Sequence, residues 1–292
     1  MGIDNNSLRF ILDAKNAGAN FSRTLTIGRQ NYYRLTPRLV EQSLRRSRIP
    51  ATTGEVENFF HAQRVFCDGL FTHLGAQVVD SLDYSPYEGA TVIHDMNTPI
   101  PDSLHNSCTV VIDGGSLEHI FNFPVAIGNC MRMVKPGGHF IGLVPANNFF
   151  GHGFYQFSAE LYYRVFAPEN GFEVRRMVFA EDDQTGRGFF EVVDPAEVRS
   201  RVTVATAQPC HLFVFAEKTV DCVPFKTAPY QSDYVRVWEK DVSDQESTGK
   251  PTALLVRLWD ALKRTIASGP KEWLRTAMFP GPRAFPGWFR RV

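Results

Sequence analysis

Four short apolar runs in the middle of the chain are each followed by polar side chains. They predict strands near residues 78–82, 90–94, 108–112 and 139–144. Asp83, Asp95 and Asp113 follow the first three runs, and the pair Asn147 and Asn148 follows the fourth. Ligands of open α/β sheets bind beyond the carboxyl ends of parallel strands, so we expect these side chains to converge on one crevice.

The segments around these runs predict further helices and strands. Leu25 to Ile27 reads as a first strand ended by Gly28, and 172–181 and 211–218 read as later strands, separated by a polar insertion at 182–209. The expected helices cover 7–18, 39–50, 53–76 with Thr53 as a candidate cap, 124–138 with Gly137 and Gly138 as its stop, and 158–172 with Ser158 as its N-cap. This alternation predicts an α/β fold with a mostly parallel sheet covered on both faces.

The character of the chain changes at residue 220. Residues 241–250 read as a linker, 252–267 as an amphipathic helix, and 281–292 as a tail of aromatics, prolines and arginines. We therefore expect one domain at 1–219 and a C-terminal extension at 220–292. The tail has two readings: a segment wrapped on the domain or on a second subunit of a homo-oligomer, and a peripheral contact with membrane or lipid-linked substrate.

Charge and cysteine content narrow the class of protein. The 292 residues carry 31 basic and 31 acidic side chains, which removes an electrostatic argument for nucleic acid as a partner. The five cysteines form no CxxC pair, as expected in a reducing compartment. No apolar stretch approaches the ~20 residues of a membrane span. We expect a cytoplasmic protein, with association at the inner membrane as the alternative that the tail leaves open.

The strand-end aspartates suit a nucleoside-type ligand. Asp83 would accept both ribose hydroxyls, and Asp95 would meet an exocyclic adenine amino group beside the apolar Met96. Gly114, after Asp113, permits a bound molecule to approach the backbone closely. The alternative for any single aspartate is a helix cap or a turn.

The segment 145–158, PANNFFGHGFYQFS, predicts a substrate pocket with apolar walls and a few orienting polar groups. Its candidate substrate-binding residues are Asn147, Asn148, Phe150, Tyr155 and Gln156. His152 is the best candidate base for a substrate hydroxyl, and His119 is a second acid–base candidate. A histidine satisfied by the protein itself is the alternative for each. The sequence has no GxSxG motif and no P-loop.

Together these residues resemble the class I S-adenosylmethionine-dependent methyltransferases over about residues 23–218. The resemblance rests on LTIG, SLD, HDMN, VVIDGGSLEHI and MRMVKPGGHFIGLVP. It implies a Rossmann-like, mostly parallel seven-stranded sheet with helices on both faces, followed here by a C-terminal helical extension. It also implies S-adenosylmethionine as cofactor, near Gly28, Arg29, Asp83, Tyr84, Asp95, Met96, Asp113 and Gly114.

The segment 147–166 resembles methyltransferase-like proteins of bacterial surface-glycan biosynthesis. This resemblance implies a sugar or lipid-linked glycan hydroxyl as acceptor. NNFFG also resembles the strand-end acidic–Asn pair of metal-dependent O-methyltransferases, but Asn147 stands where those enzymes have a carboxylate, so we expect no metal. The alternative is a metal site, for which Asp113, Asn147, Asn148, His119 and His152 are the candidate oxygen and nitrogen ligands.

The first loop departs from the family pattern. IGRQNYYRL has only Gly28, where the family has an acidic residue and several glycines. One alternative is that Arg29 or Gln30 contacts the cofactor carboxylate. The other is a catalytically silent methyltransferase-like module that binds a partner enzyme or a glycan.

Overall fold

The computed structural model describes residues 2–60, 66–182, 188–199, 201–247 and 289–291, with side chains described to residue 239. Its strands are β1 (Gly2–Ile3), β2 (Arg23–Ile27), β3 (Asn31–Tyr32), β4 (Val78–Asp83), β5 (Val92–Ile93), β6 (Cys108–Asp113), β7 (Val134–Pro145), β8 (Phe172–Glu181), β9 (Phe189–Val192), β10 (Cys210–Lys218) and β11 (Phe289–Arg291). Its α-helices are α1 (Asn5–Asn16), α2 (Pro37–Arg46), α3 (Thr53–Phe59), α4 (Asp68–His73), α5 (Phe123–Met133), α6 (Ala159–Val165), α7 (Pro195–Val198) and α8 (Ser232–Ser247).

A nine-stranded sheet forms the centre of the fold, in the order β5-β4-β2-β6-β7-β10-β8-β9-β11. The strands from β5 to β7 are parallel, and β10 runs antiparallel to both of its neighbours, β7 and β8. Counted from β2 along the chain, and leaving out β9 and β11, the order is 3-2-1-4-5-7-6. This is the order of the class I methyltransferase sheet, so the expected Rossmann-like fold is confirmed, with two more edge strands than expected.

Both faces of the sheet are buried. Along β6, Val111 belongs to one apolar cluster, while Val110 and Ile112 belong to the other. The first cluster includes Ile127 of α5, and the second includes Leu8 of α1. This two-sided burial explains why β6 reads as a continuous apolar run rather than an alternating one.

Hydrogen bonds at the helix N-termini fix where several helices begin. The Asp4 carboxylate accepts from the Ser7 amide at 2.8 Å and starts α1. The Thr52 hydroxyl accepts from the Glu55 backbone amide, and the Glu55 side chain accepts from the Thr52 backbone amide. These two hydrogen bonds form a capping box that starts α3. Ser158 caps α6 as expected. Thr53, the candidate cap in the sequence, is instead the first residue of α3.

Three of the expected helices were wrong in extent. The helix expected over 158–172 ends at Val165, and Phe172 already begins β8. The helix expected over 53–76 is two helices, α3 and α4, with residues 61–65 outside the description. The helix expected over 124–138 ends at Met133, because Val134 is already extended and pairs with Cys108 of β6. Gly137 and Gly138 therefore lie within β7.

The C-terminal extension is described in part. Residues 241–247, expected as part of a linker, continue α8, which corrects that expectation. The amphipathic helix expected at 252–267 lies outside the described residues, as does most of the tail, but β11 pairs antiparallel with β9. The expected boundary at residue 220 stays a prediction. In the described ranges, no helix combines the length and apolar character needed to cross a bilayer.

Candidate functional site

The candidate site is a crevice at the carboxyl ends of β2, β4 and β6. The chain runs outward from β2 to β5, then returns to place β6 on the other side of β2. Such a reversal leaves a crevice between the loops that follow the two central strands. Here it encloses about 380 Å³ and is lined by Gly28 to Asn31, Asp83, Tyr84, Asp95 to Asn97, Gly115, Ser116 and His119, among others. Asp83 and Asp95 thus meet in one crevice as expected. Asp113 is fully buried, and neither it nor Asn147 and Asn148 line the crevice.

A larger cavity, of about 590 Å³, lies at α7 and α8. The charged groups along it are largely compensated, since Arg164 pairs with Asp194 and Asp233 pairs with Arg201. The crevice is smaller but contains the uncompensated groups, and it is therefore the better candidate.

Asp83 ends β4 and lines the crevice. Within the described residues its carboxylate makes no hydrogen bond or ion pair. Tyr84, beside it, is 75% exposed at the rim. An uncompensated carboxylate at the end of the second strand is available to a ligand with two vicinal hydroxyls.

Asp95 forms a turn that shapes the crevice. Its Oδ1 accepts from the backbone amide and from the side-chain amide of Asn97, both at 2.9 Å. These hydrogen bonds lower the pKa of Asp95. Met96 is 5% exposed and packs in the core, where its sulfur lies 3.8 Å from the Asn129 amide nitrogen. The adenine contacts expected of Asp95 and Met96 stay predictions.

The turn after β2 is closed against the loop after β6. Gly28 has φ +67°, and a Cβ there would lie 2.9 Å from the Ser116 hydroxyl. That hydroxyl donates to the Ile27 carbonyl at 2.7 Å. One glycine therefore suffices for the tight turn.

Arg29 bridges two walls of the crevice. Its Nε and one terminal nitrogen donate to Asp68 Oδ2 at 3.2 and 2.7 Å, and the other terminal nitrogen donates to the Glu88 carbonyl at 2.9 Å. The guanidinium also lies 4.2 Å from the centre of the Phe66 ring. A cofactor contact through Arg29 stays a prediction, and would have to use its remaining N–H groups.

Gln30 is buried between the two central loops. Its amide nitrogen donates to the carbonyls of Ile27 and Gly28 at 3.0 and 3.1 Å. A Cβ at Gly114 would lie 2.0 Å from Gln30 Oε1, so any larger residue there would have to displace the end of the Gln30 side chain. Gln30 Oε1 has no hydrogen-bond partner. The Gln30 side chain thus fills space beside Gly114 that a glycine at position 30 would leave open.

Asp113 and Glu118 are two buried carboxyl groups beside the crevice. Asp113 Oδ1 accepts from the amides of Ser116 and Leu117 at 2.8 and 3.3 Å, whereas Oδ2 has no partner. Burial raises the pKa of Asp113, and burial together with the charge of Asp113 raises the pKa of Glu118. Asp113 therefore holds the loop from within rather than facing solvent.

Glu118, His119 and His152 form one cluster, which we call the Glu118 cluster. The Nε2 atoms of His152 and His119 lie 3.4 and 3.8 Å from Glu118 Oε1. The two imidazole rings meet edge to face with centroids 4.9 Å apart. Burial, and then the neighbouring His152, lower the pKa of His119. The structure thus brings together both histidines singled out in the sequence.

Backbone contacts hold His152 against Glu118. The Glu118 carbonyl accepts from the Phe154 amide at 2.7 Å. Gly153, with φ +69°, lies so close that a Cβ would approach that carbonyl oxygen to 2.7 Å. Through the Gly-His-Gly segment, the loop after β7 therefore makes a close contact with the loop after β6.

The side-chain amides predicted to bind substrate hold the protein's own backbone. Asn147 donates to the Val204 carbonyl at 3.0 Å, and Asn148 donates to the Thr206 and Gln208 carbonyls, both at 2.9 Å. The Gln156 side chain accepts from the Phe149 amide at 2.9 Å. A contact of these three residues with substrate stays a prediction.

Aromatic side chains flank the cluster. Phe150 is 97% exposed, and Phe154 and Phe121, 65% and 72% exposed, meet edge to face with centroids 5.7 Å apart. Tyr155 is half-buried and donates to the Phe121 carbonyl at 2.5 Å. This side of the molecule offers flat apolar surface next to titratable groups.

Sequence reasoning missed Glu118 as a site residue. The one feature of the sequence that could have identified Glu118 is its position next to His119. An acidic residue in a loop is usually exposed, and the neighbouring residues do not predict that this one is fully buried. Ser116 and Gly115, which line the crevice, were also not singled out.

The comparisons with known proteins found likeness in structure only. No protein-family model and no curated protein matches the chain. Among solved structures, a candidate methyltransferase from Bacillus halodurans is 11% identical over 75% of this chain and 100% of its own, with a TM-score of 0.41. The antibiotic-resistance methyltransferase Kmr is 16% identical over 73% of this chain and 94% of its own, with a TM-score of 0.34.

A third solved structure is the C9 mutein of the branched-chain polyamine synthase of Thermus thermophilus, in complex with N4-aminopropylspermidine and 5'-methylthioadenosine. It is 12% identical over 76% of this chain and 59% of its own, with a TM-score of 0.38. Likeness at these scores carries no information on function. The methyltransferase topology is assigned from the strand order of the chain itself.

Proposed function

We propose that the chain transfers a methyl group from S-adenosylmethionine to a hydroxyl group of a sugar or glycolipid in surface-polysaccharide biosynthesis. The observation that supports this most is that one crevice is lined both by the uncompensated Asp83 carboxylate and by His119 of the Glu118 cluster. The first group suits a nucleoside, and the second suits a nearby acceptor. When bound, the cofactor would supply an electrophilic methyl group.

The nucleoside end of the crevice fits this cofactor. Asp83 would accept the two ribose hydroxyls, and Asp95, with Met96 beneath it, would face the adenine. At the amino-acid end, the Arg29 guanidinium has five N–H groups, of which three are engaged in hydrogen bonds. The other two would be available to a carboxylate.

The Glu118 cluster would receive the acceptor. His152 would take the proton of the hydroxyl group, with Glu118 orienting its ring and stabilising its charged form. The exposed rings of Phe121, Phe150 and Phe154 would provide the apolar surface against which a sugar or lipid-linked glycan lies.

Calorimetric titration with S-adenosylmethionine and with its demethylated product tests the cofactor. We expect binding by the natural chain and a loss of affinity of about 100-fold or more in Asp83→Asn, because two hydrogen bonds to a charged group are worth about 1.5–3 kcal/mol each. Asp102→Asn is the matched control, since its carboxylate is fully exposed outside the crevice. No heat at millimolar ligand, or equal binding by Asp83→Asn, would contradict the proposal.

His152→Ala tests the acceptor end. Screening sugars and lipid-linked glycans for transfer of a radiolabelled methyl group would identify an acceptor. With that acceptor, we expect turnover to fall about 10²- to 10⁴-fold while cofactor affinity stays unchanged. Loss of cofactor binding in this variant would show that His152 has been misassigned.

A catalytically silent module that binds a partner enzyme or a glycan is the second candidate. Two observations favour it: Arg29 already bridges Asp68 and the Glu88 carbonyl, and the Gln30 amide fills the space beside Gly114. Co-purification with a glycan-assembly enzyme, together with no heat in the cofactor titration, would support this alternative.

A further inference from the structure

Glu118 is a buried carboxyl group whose hydrogen-bonding capacity is not met by the protein. Its side chain is 0% exposed, and neither carboxylate oxygen has a hydrogen-bond partner. Buried polar groups in folded proteins are nearly always paired, because an unpaired one costs several kcal/mol. Two imidazole nitrogens lie within 4 Å of Glu118 Oε1, so a group that binds this oxygen and both nitrogens would remove this cost.

The separations suit one metal ion. Glu118, His119 and His152 each place one ligand atom within 4.8 Å of the other two. Glu118 Oε1 lies 3.4 Å from His152 Nε2 and 3.8 Å from His119 Nε2. Metal–ligand bonds of about 2.0–2.2 Å at tetrahedral angles place neighbouring ligand atoms about 3.4 Å apart. The distances from the carboxylate oxygen to the two imidazole nitrogens are therefore at or near this value, and the two nitrogens, which lie within 4.8 Å of each other, would move closer together on binding an ion.

The ligand types select the metal. Two imidazoles and one carboxylate suit zinc and the neighbouring divalent transition metals, whereas Mg²⁺ and Ca²⁺ prefer all-oxygen sites. Three protein ligands leave at least one coordination position open, which is typical of catalytic zinc rather than structural zinc.

The surrounding structure holds the three ligands in place. Glu118 and His119 are consecutive residues after β6, and His152 follows β7, which pairs with β6. The hydrogen bond from the Phe154 amide to the Glu118 carbonyl ties the two loops together. The second buried carboxyl group, Asp113, adds negative charge beside the cluster, and a divalent cation would offset it.

We propose that Glu118, His119 and His152 bind one divalent transition-metal ion, with Zn²⁺ the best fit. This proposal departs from the expectation of no metal that the family resemblance implied. The role of the ion at the acceptor end rests on the proposed function. With the acceptor hydroxyl in the open coordination position, the ion would polarise that hydroxyl and lower its pKa. A ligated Nε2 has no lone pair left for a proton, so His152 would then act as a ligand rather than as the base, and the hydroxyl proton would pass to water.

Metal binding is measured on the full chain without any affinity tag, stripped with chelator and given Zn²⁺ or Co²⁺. We expect about one ion per chain by elemental analysis, and visible absorption bands with Co²⁺. His119→Ala, His152→Ala and Glu118→Gln should each weaken Zn²⁺ binding at least about 100-fold. His105→Ala, which removes a surface histidine paired with Asp102, is the matched control and should bind like the natural chain.

No stoichiometric binding, or equal binding by the three variants and the control, would overturn the metal site. Thermal unfolding of each variant without metal identifies any that has failed to fold; the remaining variants then decide the question. These measurements contain no S-adenosylmethionine, and the cofactor titration is done on the metal-free chain. Failure of the metal site is therefore distinguishable from failure of the proposed function.

Discussion

Some residues of the site could be predicted from the neighbouring sequence, whereas others became site residues only through their burial in the folded chain. Asp83 could be predicted, because a carboxylate directly after an apolar run lies at a strand end. Glu118 could not, because its importance comes from full burial between two loops. Asn147 and Asn148 share one difficulty: a side-chain amide suits substrate and backbone carbonyls equally, and the structure shows the backbone contacts.

Gly153→Ala tests the contact between the two loops. A Cβ at φ +69° and 2.7 Å from the Glu118 carbonyl is strained in both conformation and space. We expect a loss of about 2 kcal/mol or more in the free energy of unfolding, measured with urea, because the left-handed conformation alone costs about 1–2 kcal/mol.

Gly151→Ala is the matched control for this substitution. A Cβ there meets nothing within 4 Å. Its effect should stay within about 0.5 kcal/mol. Equal effects of the two substitutions would show that Gly153 is not a close contact in solution.

At the scale of elements, apolar runs located the strands well and helix ends poorly. The run at 172–181 matches β8 along its whole length. The end of α5 was misplaced because its stop was assigned to Gly137 and Gly138, whereas pairing of Val134 with β6 takes the chain out of the helix earlier. Tertiary pairing of this kind leaves no local signal in the sequence.

A pair of substitutions tests the start of α3. Thr52→Ala removes the cap hydroxyl and should cost about 1 kcal/mol of unfolding free energy. Thr53→Ala removes an exposed hydroxyl that donates to the half-buried Glu41 carboxylate at 3.1 Å, and should cost clearly less. Urea unfolding of both variants checks this. A larger loss of unfolding free energy for Thr53→Ala than for Thr52→Ala would show that Thr53, the candidate cap in the sequence, is the N-cap of α3.

For the whole molecule, the alternation of strands and helices was enough to predict the fold class. The order of the strands was not deducible from alternation alone, and it comes from the sheet itself. The two extra strands were not expected. β9 lies within a segment that reads as a polar insertion, and the partner of β9 comes from near residue 290, far away in sequence.

Removal of residues 289–291 tests the outer edge of the sheet. Loss of β11 leaves β9 as an unpaired edge, and exposed edges promote strand pairing between molecules. We expect concentration-dependent self-association by light scattering. Replacement of the three side chains by threonine keeps the backbone pairing and should stay like the natural chain. No difference between the two variants would show that β11 does not protect this edge.

The pairing of β11 with β9 also has a consequence for synthesis. The ribosome delivers the chain from its N-terminus at about 5–20 residues per second. All the strands that form the crevice are complete by residue 145, but the strand that covers β9 emerges last. While the remaining residues are being made, a nascent chain whose crevice is already formed would still present one open sheet edge. Chaperone binding to stalled nascent chains should therefore concentrate on β9.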